Sequence, residues 1–204
     1  MSRIITIGRE FGSGGREIGR RVSDALQIAY YDQEIISEIA KRTELSEDYV
    51  RRISERRPFI SFPIHVGRSF YPVTDPLLQN SVLVFAEQHR LLEEMAEKSD
   101  CLIVGRCADY ILRDKKPFRI FVYADMESRL ERCMTRKKEG EELSEKDMKK
   151  RIAEIDRERA QYYAYFSEQK WGARDSYDLM VNTSGKDIKQ VSGALAEYLK
   201  KIMF

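Results

Sequence analysis

The chain has 204 residues, 42% apolar and 34% charged, enough for one well-filled α/β domain with a small mobile part. A net charge of +2 gives no bulk electrostatic case for a nucleic-acid partner. No apolar run approaches the roughly 20 residues that span a bilayer, so no membrane partner is expected. The three cysteines, Cys101, Cys107 and Cys133, suit reduced thiols better than a disulfide framework. No signal-peptide pattern precedes the first apolar run, so a cytoplasmic location is expected.

Ile4 to Ile7 is short, β-branched and apolar, as a buried parallel strand should be. Ile18, Val22, Ala25 and Leu26 then recur at helical spacing over Arg16 to Leu26. Ile28 to Tyr31 predicts a second strand, ending at Asp32. Helix follows from Glu34 to Arg57, with a break near Thr43 to Ser46, where Ser46 and the acidic pair Glu47 and Asp48 form an N-cap pattern. Pro58, Pro63, Pro72 and Pro76 sit among aromatic residues and exclude regular helix there. A loop of that length in a compact domain is usually functional or mobile.

Leu77 to Lys98 returns to an amphipathic helix. Cys101 to Val104 and Phe118 to Tyr123 read as buried strands, and Met126 to Lys138 as a basic helix. Ser144 with Glu145 and Asp147 caps a helix that runs to about Tyr165. Asp178 to Val181 is a last strand, and Lys186 to Ile202 a final helix. Strands alternating with helices predict a parallel sheet with helical crossovers.

The segment Gly8 to Gly19, G-R-E-F-G-S-G-G-R-E-I-G, lies between the first strand and the first helix. Free backbone N–H groups and a helix dipole at such a turn favour a phosphate. A P-loop, G-x-x-x-x-G-K-[ST], would place its lysine at Gly15, and Gly8 lies one residue too far upstream. Arg16 is the nearest cation that supplies charge in the lysine's stead, with a bidentate geometry. Glu17 stands where related loops carry a threonine, and a carboxylate is a competent Mg²⁺ ligand. The plain alternatives are a packing turn with glycines and two surface residues in a first helical turn.

Beyond the loop, Arg106 follows the Cys101–Val104 strand, where ligands of open parallel sheets bind. An arginine there grips a phosphate or makes a surface ion pair. Arg129, Arg132 and Arg136 share a helix face, and Arg151, Arg157 and Arg159 follow on the next helix with Asp156 among them. Two such helices joined by a polar turn at Gly140 look like a lid over polyphosphate, or are simply solvated faces. Tyr162, Tyr163, Tyr165 and Phe166 beside these arginines raise a third possibility, base stacking, against a core role. His65 and His89 show no metal-ligand spacing.

Taken together, these residues resemble the nucleoside monophosphate kinases, most closely the cytidylate kinase-like group of P-loop kinases. The matching segments are I-T-I-G-R-E-F-G-S-G-G-R-E-I-G at the start, Y-Y-D-Q-E at 30–34, V-G-R-C-A-D at 104–109, D-R-E-R-A at 156–160 and Y-D-L-M-V-N-T-S at 177–184. They occur in the family's order and run nearly end to end. The resemblance implies a single kinase-like domain over 1–204, with a parallel sheet of about five strands flanked by helices. It implies an acceptor-binding segment over 32–80 and a helical lid over 129–159. Gly12, Ser13, Gly14, Gly15, Arg16 and Glu17 would bind ATP, with Mg²⁺ at Glu17. Asp32, Arg106, Asp156 and Arg159 would bind the acceptor, and Arg16, Arg132, Arg136 and Arg159 would stabilise charge on the transferring group.

The implied activity is phosphoryl transfer from ATP to a nucleoside monophosphate, with CMP or dCMP the first guess, or to a related small acceptor. Nucleotides are the expected partners, and a homodimer is left open. Departures bear on turnover and acceptor. G-S-G-G-R-E stands for the family's G-S-G-K-G-T, and G-R-C for G-R-D, with Asp109 displaced by two. A further basic acceptor position falls at Ile152, beside Arg151. The alternative reading is a nucleotide-binding module without transfer activity, acting as a sensor or partner protein.

Overall fold

The runs rich in isoleucine and valine build the sheet. Strands β1 (Ile4–Arg9), β2 (Ala29–Tyr31), β3 (Cys101–Val104), β4 (Phe118–Tyr123) and β5 (Leu179–Asn182) are all parallel, in the order β2-β3-β1-β4-β5. The structure is a computed structural model and describes residues 2–54, 76–136 and 143–203. β1 is the central strand. Ile4 to Ile7 pair in register with Cys101 to Val104 on one side, and Ile5 to Arg9 with Phe118 to Val122 on the other.

Eight α-helices lie among the described residues: α1 (Gly15–Leu26), α2 (Glu34–Thr43), α3 (Glu47–Ile53), α4 (Pro76–Lys98), α5 (Ala108–Ile111), α6 (Met126–Thr135), α7 (Glu145–Ser167) and α8 (Ile188–Met203). The predicted caps form. Ser46 accepts the N–H of Tyr49 at 3.3 Å and Ser144 that of Asp147 at 3.2 Å, each satisfying an orphan donor of a first turn. At α6 the cap is Asp125, which accepts the Ser128 N–H at 2.8 Å.

Side chains alternate across the strands and so feed two cores. Ile4, Cys101 and Ile103 face α2, α4 and the aromatic end of α7, together with Ile35, Ile39, Leu92, Tyr162 and Tyr163. Ile5, Ile7, Leu102, Val104, Ile120 and Val122 face α1 and α8, packing on Ile18, Val22, Leu195 and Leu199. A small third cluster, Leu130, Met148 and Ile152, joins α6 to α7 and packs against Phe11. Ile152 is fully buried there, so it is a packing position between the two helices.

The short helix α5 has no counterpart in the sequence reading. It follows three consecutive residues in the left-handed region, Gly105 (φ 73°), Arg106 (φ 62°) and Cys107 (φ 51°), and apolar periodicity carries no signal for that backbone. The proline-rich stretch 58–75 lies outside the described residues, as does the turn at Gly140; Pro76 opens α4. Among the described residues no helix is long and apolar enough to cross a membrane.

Candidate functional site

The loop between β1 and α1 turns back on itself at Gly12 (φ 80°) and Gly14 (φ 84°). Both positions demand glycine. A Cβ on Gly12 would lie 2.9 Å from the Arg129 carbonyl, and one on Gly14 2.5 Å from Ile188 Cδ1. The turn delivers the chain into α1, whose first intrahelical bond runs from the Ile18 N–H to Gly14 O. Among the described residues, no protein acceptor takes the N–H groups of Gly12, Gly14, Gly15 or Arg16. These residues line a cavity of about 330 Å³ whose wall also holds Glu10, Glu17 and six arginines, Arg9, Arg16, Arg132, Arg136, Arg151 and Arg159. Such N–H groups, a helix N-terminus and this many cations are the chemistry that suits an anion.

A buried ion cluster fixes the loop's shape. Arg129, 6% exposed, donates through Nε to Phe11 O at 2.8 Å, pairs with Glu10 at 3.2 Å and forms a charged hydrogen bond with Asp156. Asp156 in turn accepts the Phe11 N–H at 2.7 Å. Both backbone groups of Phe11 are therefore held, one from α6 and one from α7. Burial pushes the carboxyls of Asp156 and Glu10 above the usual carboxylate range, and Arg129 offsets part of that cost.

A second brace comes from the end of β5. The Thr183 hydroxyl, wholly buried, donates to Ser13 O at 2.7 Å. Arg132 reaches Thr183 Oγ1 at 3.2 Å and Lys186 O at 3.2 Å, so this arginine ties α6 to the 183–186 turn at the cavity's edge. Arg136 is exposed and pairs with Glu17, which also accepts from Arg21 Nε at 2.9 Å. Burial works against the Glu17 charge, but Arg21 and Arg136 outweigh it and hold the carboxyl below its ordinary range.

Arg16 points along the other side of α1. Its Nε lies 2.5 Å from Asp32 Oδ2, and Asp32 is nearly buried at the end of β2. This pair borders a separate cavity of about 510 Å³ with Tyr30, Arg20 and Glu34. Burial pushes the Tyr30 hydroxyl up to about 12.

Arg106 and Arg159 meet at the carboxyl ends of β1 and β3, in a tight pocket of about 40 Å³ that also holds Arg9, Asp109 and Tyr163. Arg106 is 7% exposed; its Nη1 donates to Ser54 Oγ at 2.7 Å, and its carbonyl accepts from Gln88 at 2.8 Å. Asp109 accepts from the Tyr163 hydroxyl at 2.8 Å. Arg159 donates to Arg9 O at 3.4 Å and lies over the Phe11 ring at 5.6 Å.

The structure thus gathers Gly12, Gly14, Gly15, Arg16, Glu17, Arg132, Arg136 and Arg159 around the loop cavity, and Arg106 with Arg159 at the strand ends. Ser13 is buried behind the loop. Asp32 lines only the separate cavity, and Asp156 works on the loop's backbone. Tyr162 and Tyr163 are core residues, Phe166 stacks on Phe85 with ring centroids 3.9 Å apart, and Tyr165, half-buried, meets Phe166 edge-on at 4.9 Å.

Sequence reasoning passed over Arg9, Glu10 and Thr183, and placed Arg129 only on a shared helix face. Thr183 had a signal, the threonine–serine pair after the last strand. Arg9 had only its place at the end of the first strand.

A model of the cytidylate kinase-like family matches residues 4–185. No curated protein is significantly similar in sequence. Among solved structures, an uncharacterized protein from Eubacterium ventriosum superposes with a TM-score of 0.70 at 24% identity, over 98% of this chain and 99% of that one. Shikimate kinase from Bacteroides thetaiotaomicron gives 0.57 at 14% identity over 97% and 98%, and that from Acinetobacter baumannii 0.54 at 15% over 100% and 96%. These likenesses show a shared fold: five parallel strands flanked by helices, as in P-loop kinases. The chain belongs to the cytidylate kinase-like family, a family of P-loop kinase-type phosphotransferases.

Proposed function

We propose that the protein transfers the γ-phosphoryl group of ATP to a small acceptor, with a nucleoside monophosphate such as CMP or dCMP the first candidate. The observation that carries this is that Gly12, Gly14, Gly15 and Arg16, whose N–H groups have no acceptor among the described residues, line an arginine-walled cavity at the carboxyl end of the central strand. Donor phosphates sit on those N–H groups. Arg16, Arg132, Arg136 and Arg159 supply the cationic wall, which stabilises charge spread over the transferring group. The acceptor lies toward Arg106 and Arg159, with residues 32–80 as its binding segment and Asp32 at that segment's start. Asp156 positions the donor loop through Phe11. The helices over 129–159 form the lid that closes over the phosphates and excludes water.

Mg²⁺ supplies neutralisation of the β- and γ-phosphates in such reactions. Among the described residues, no group of three or more His, Cys, Asp or Glu side chains is arranged to hold a metal. Glu17 fits a metal arriving with the nucleotide. With Glu10 it is one of two carboxylates lining the cavity, and its pairing with the exposed Arg136 costs little to exchange.

ADP formation from MgATP against a panel of nucleoside monophosphates and shikimate tests the reading. Acceptor-dependent ADP release with a nucleoside monophosphate is expected. ATP binding without acceptor-dependent turnover would instead identify a nucleotide-binding module, and turnover with shikimate alone would replace the acceptor class.

A further inference from the structure

The glycine at position 15 is not merely a lysine lost. A P-loop with its lysine at 15 has its first glycine at position 9, and this chain has Arg9 there. The large cation and the glycine have changed places. The coordinates show why the two substitutions belong together. A Cβ on Gly15 would lie 2.5 Å from Arg9 Cβ, 3.1 Å from Arg9 Cγ and 3.3 Å from Val122 Cβ. The stem of Arg9 occupies the space that any side chain at 15, a lysine included, would need. From there the side chain runs across Gly105 at the end of β3, where an added Cβ would lie 1.7 Å from Arg9 Nη1.

That path brings the Arg9 guanidinium to the boundary between the two cavities. Arg9 and Arg159 are the two residues that line both the loop cavity and the strand-end pocket. A phosphoryl group passing from donor loop to acceptor crosses that boundary. Arg9 is 8% exposed, so its charge acts in a medium where water screens it poorly. The other candidate, Arg16, is half exposed and lies outside the strand-end pocket.

We propose that Arg9 performs the work of the absent P-loop lysine, binding the β- and γ-phosphates of the donor from the end of β1, and that Gly15 is glycine to give that side chain room. This rests on the donor-site reading above. An arginine does not exchange protons here; its part is to hold and neutralise phosphate charge with two donors in a planar fork.

The test is MgATP titration calorimetry, with melting temperature recorded alongside, on the wild-type chain and three variants. Arg9→Met keeps the stem packed over Gly15 and removes the charge; MgATP binding should weaken about tenfold or more, the loss expected for one charge-assisted hydrogen bond. Gly15→Lys alone should also weaken binding, because the new side chain meets Arg9. The double variant Arg9→Gly, Gly15→Lys restores the first glycine and the lysine of a P-loop and should bind more tightly than either Gly15→Lys or Arg9→Met. A merely structural Arg9 predicts that Arg9→Met lowers the melting temperature while the folded protein binds MgATP as wild type does, and that result overturns the assignment. A folded double variant no tighter than the single ones overturns the coupling between the two positions. Failure of the wild-type chain to bind MgATP overturns the donor-site reading itself.

Discussion

Replacing Arg129 by methionine keeps the length of the side chain and deletes the charge that holds the loop cluster together. In the structure that charge faces Asp156 and Glu10, and its Nε holds Phe11 O. The Arg129 and Asp156 side chains are only 7% and 15% exposed. Removing one partner of a buried pair leaves the other uncompensated and costs about 3–5 kcal/mol. At about 2–4 °C per kcal/mol for a domain of this size, the melting temperature should fall by roughly 10 °C. Asp156 is then a buried carboxylate with Glu10 for a neighbour, so Asp156→Asn added to Arg129→Met should recover part of the loss, whereas alone it should destabilise. Thermal and urea unfolding of the wild type, both single variants and the double complete the cycle. A drop of less than about 3 °C in Arg129→Met, or strict additivity in the double, would refute the clamp.

Thr183→Val removes the hydroxyl that serves Ser13 O and leaves a buried carbonyl unpaired. A loss of about 1–3 kcal/mol in urea unfolding is expected, with weakened MgATP binding because the loop is held from behind; unchanged values in both would discount the brace. Asp109 supplies a pH signature. Burial raises its carboxyl above the unfolded value, with the Tyr163 hydroxyl offsetting part of the shift. Between those two values the folded state holds a proton that the unfolded state has released, so stability falls as pH rises from the ordinary carboxylate range through the raised one. Asp109→Asn should flatten that part of the stability–pH curve, and an unaltered slope would show that Asp109 does not titrate there. Cys133 is half-buried and Cys107 buried. A thiol reagent should therefore label Cys133 first in the native protein, as mass spectrometry of the digest would show, and earlier labelling of Cys107 would contradict that order.

The strands were legible because burial on both faces favours apolar runs: β3 is wholly apolar, β1 is so from Ile4 to Ile7 apart from Thr6, and β4 is so from Ile120 to Tyr123. The caps at Ser46 and Ser144 were legible because a hydroxyl before an acidic turn has one main use. Boundaries moved by one to three residues: α1 starts at Gly15, β5 ends at Asn182, β1 runs on to Arg9, α8 starts at Ile188 and α6 ends at Thr135. The arginines were harder. Helical spacing puts Arg129, Arg132 and Arg136 on one face, yet their heads reach three different places, the loop cluster, the 183–186 turn and Glu17. Which place each reaches depends on elements far away in the chain. Arg9 was invisible for the same reason: its importance rests on Gly15 and Gly105 making room for it, a steric relation that spacing does not encode.

The central claim is that this loop presents a phosphoryl group for transfer, and following that group tests it most directly. With ATP labelled at the γ-phosphate, Mg²⁺ and each nucleoside monophosphate in turn, the label should appear on one acceptor in stoichiometric exchange for ADP. Label that stays in ATP, or that passes only to inorganic phosphate across the whole panel, would contradict the account.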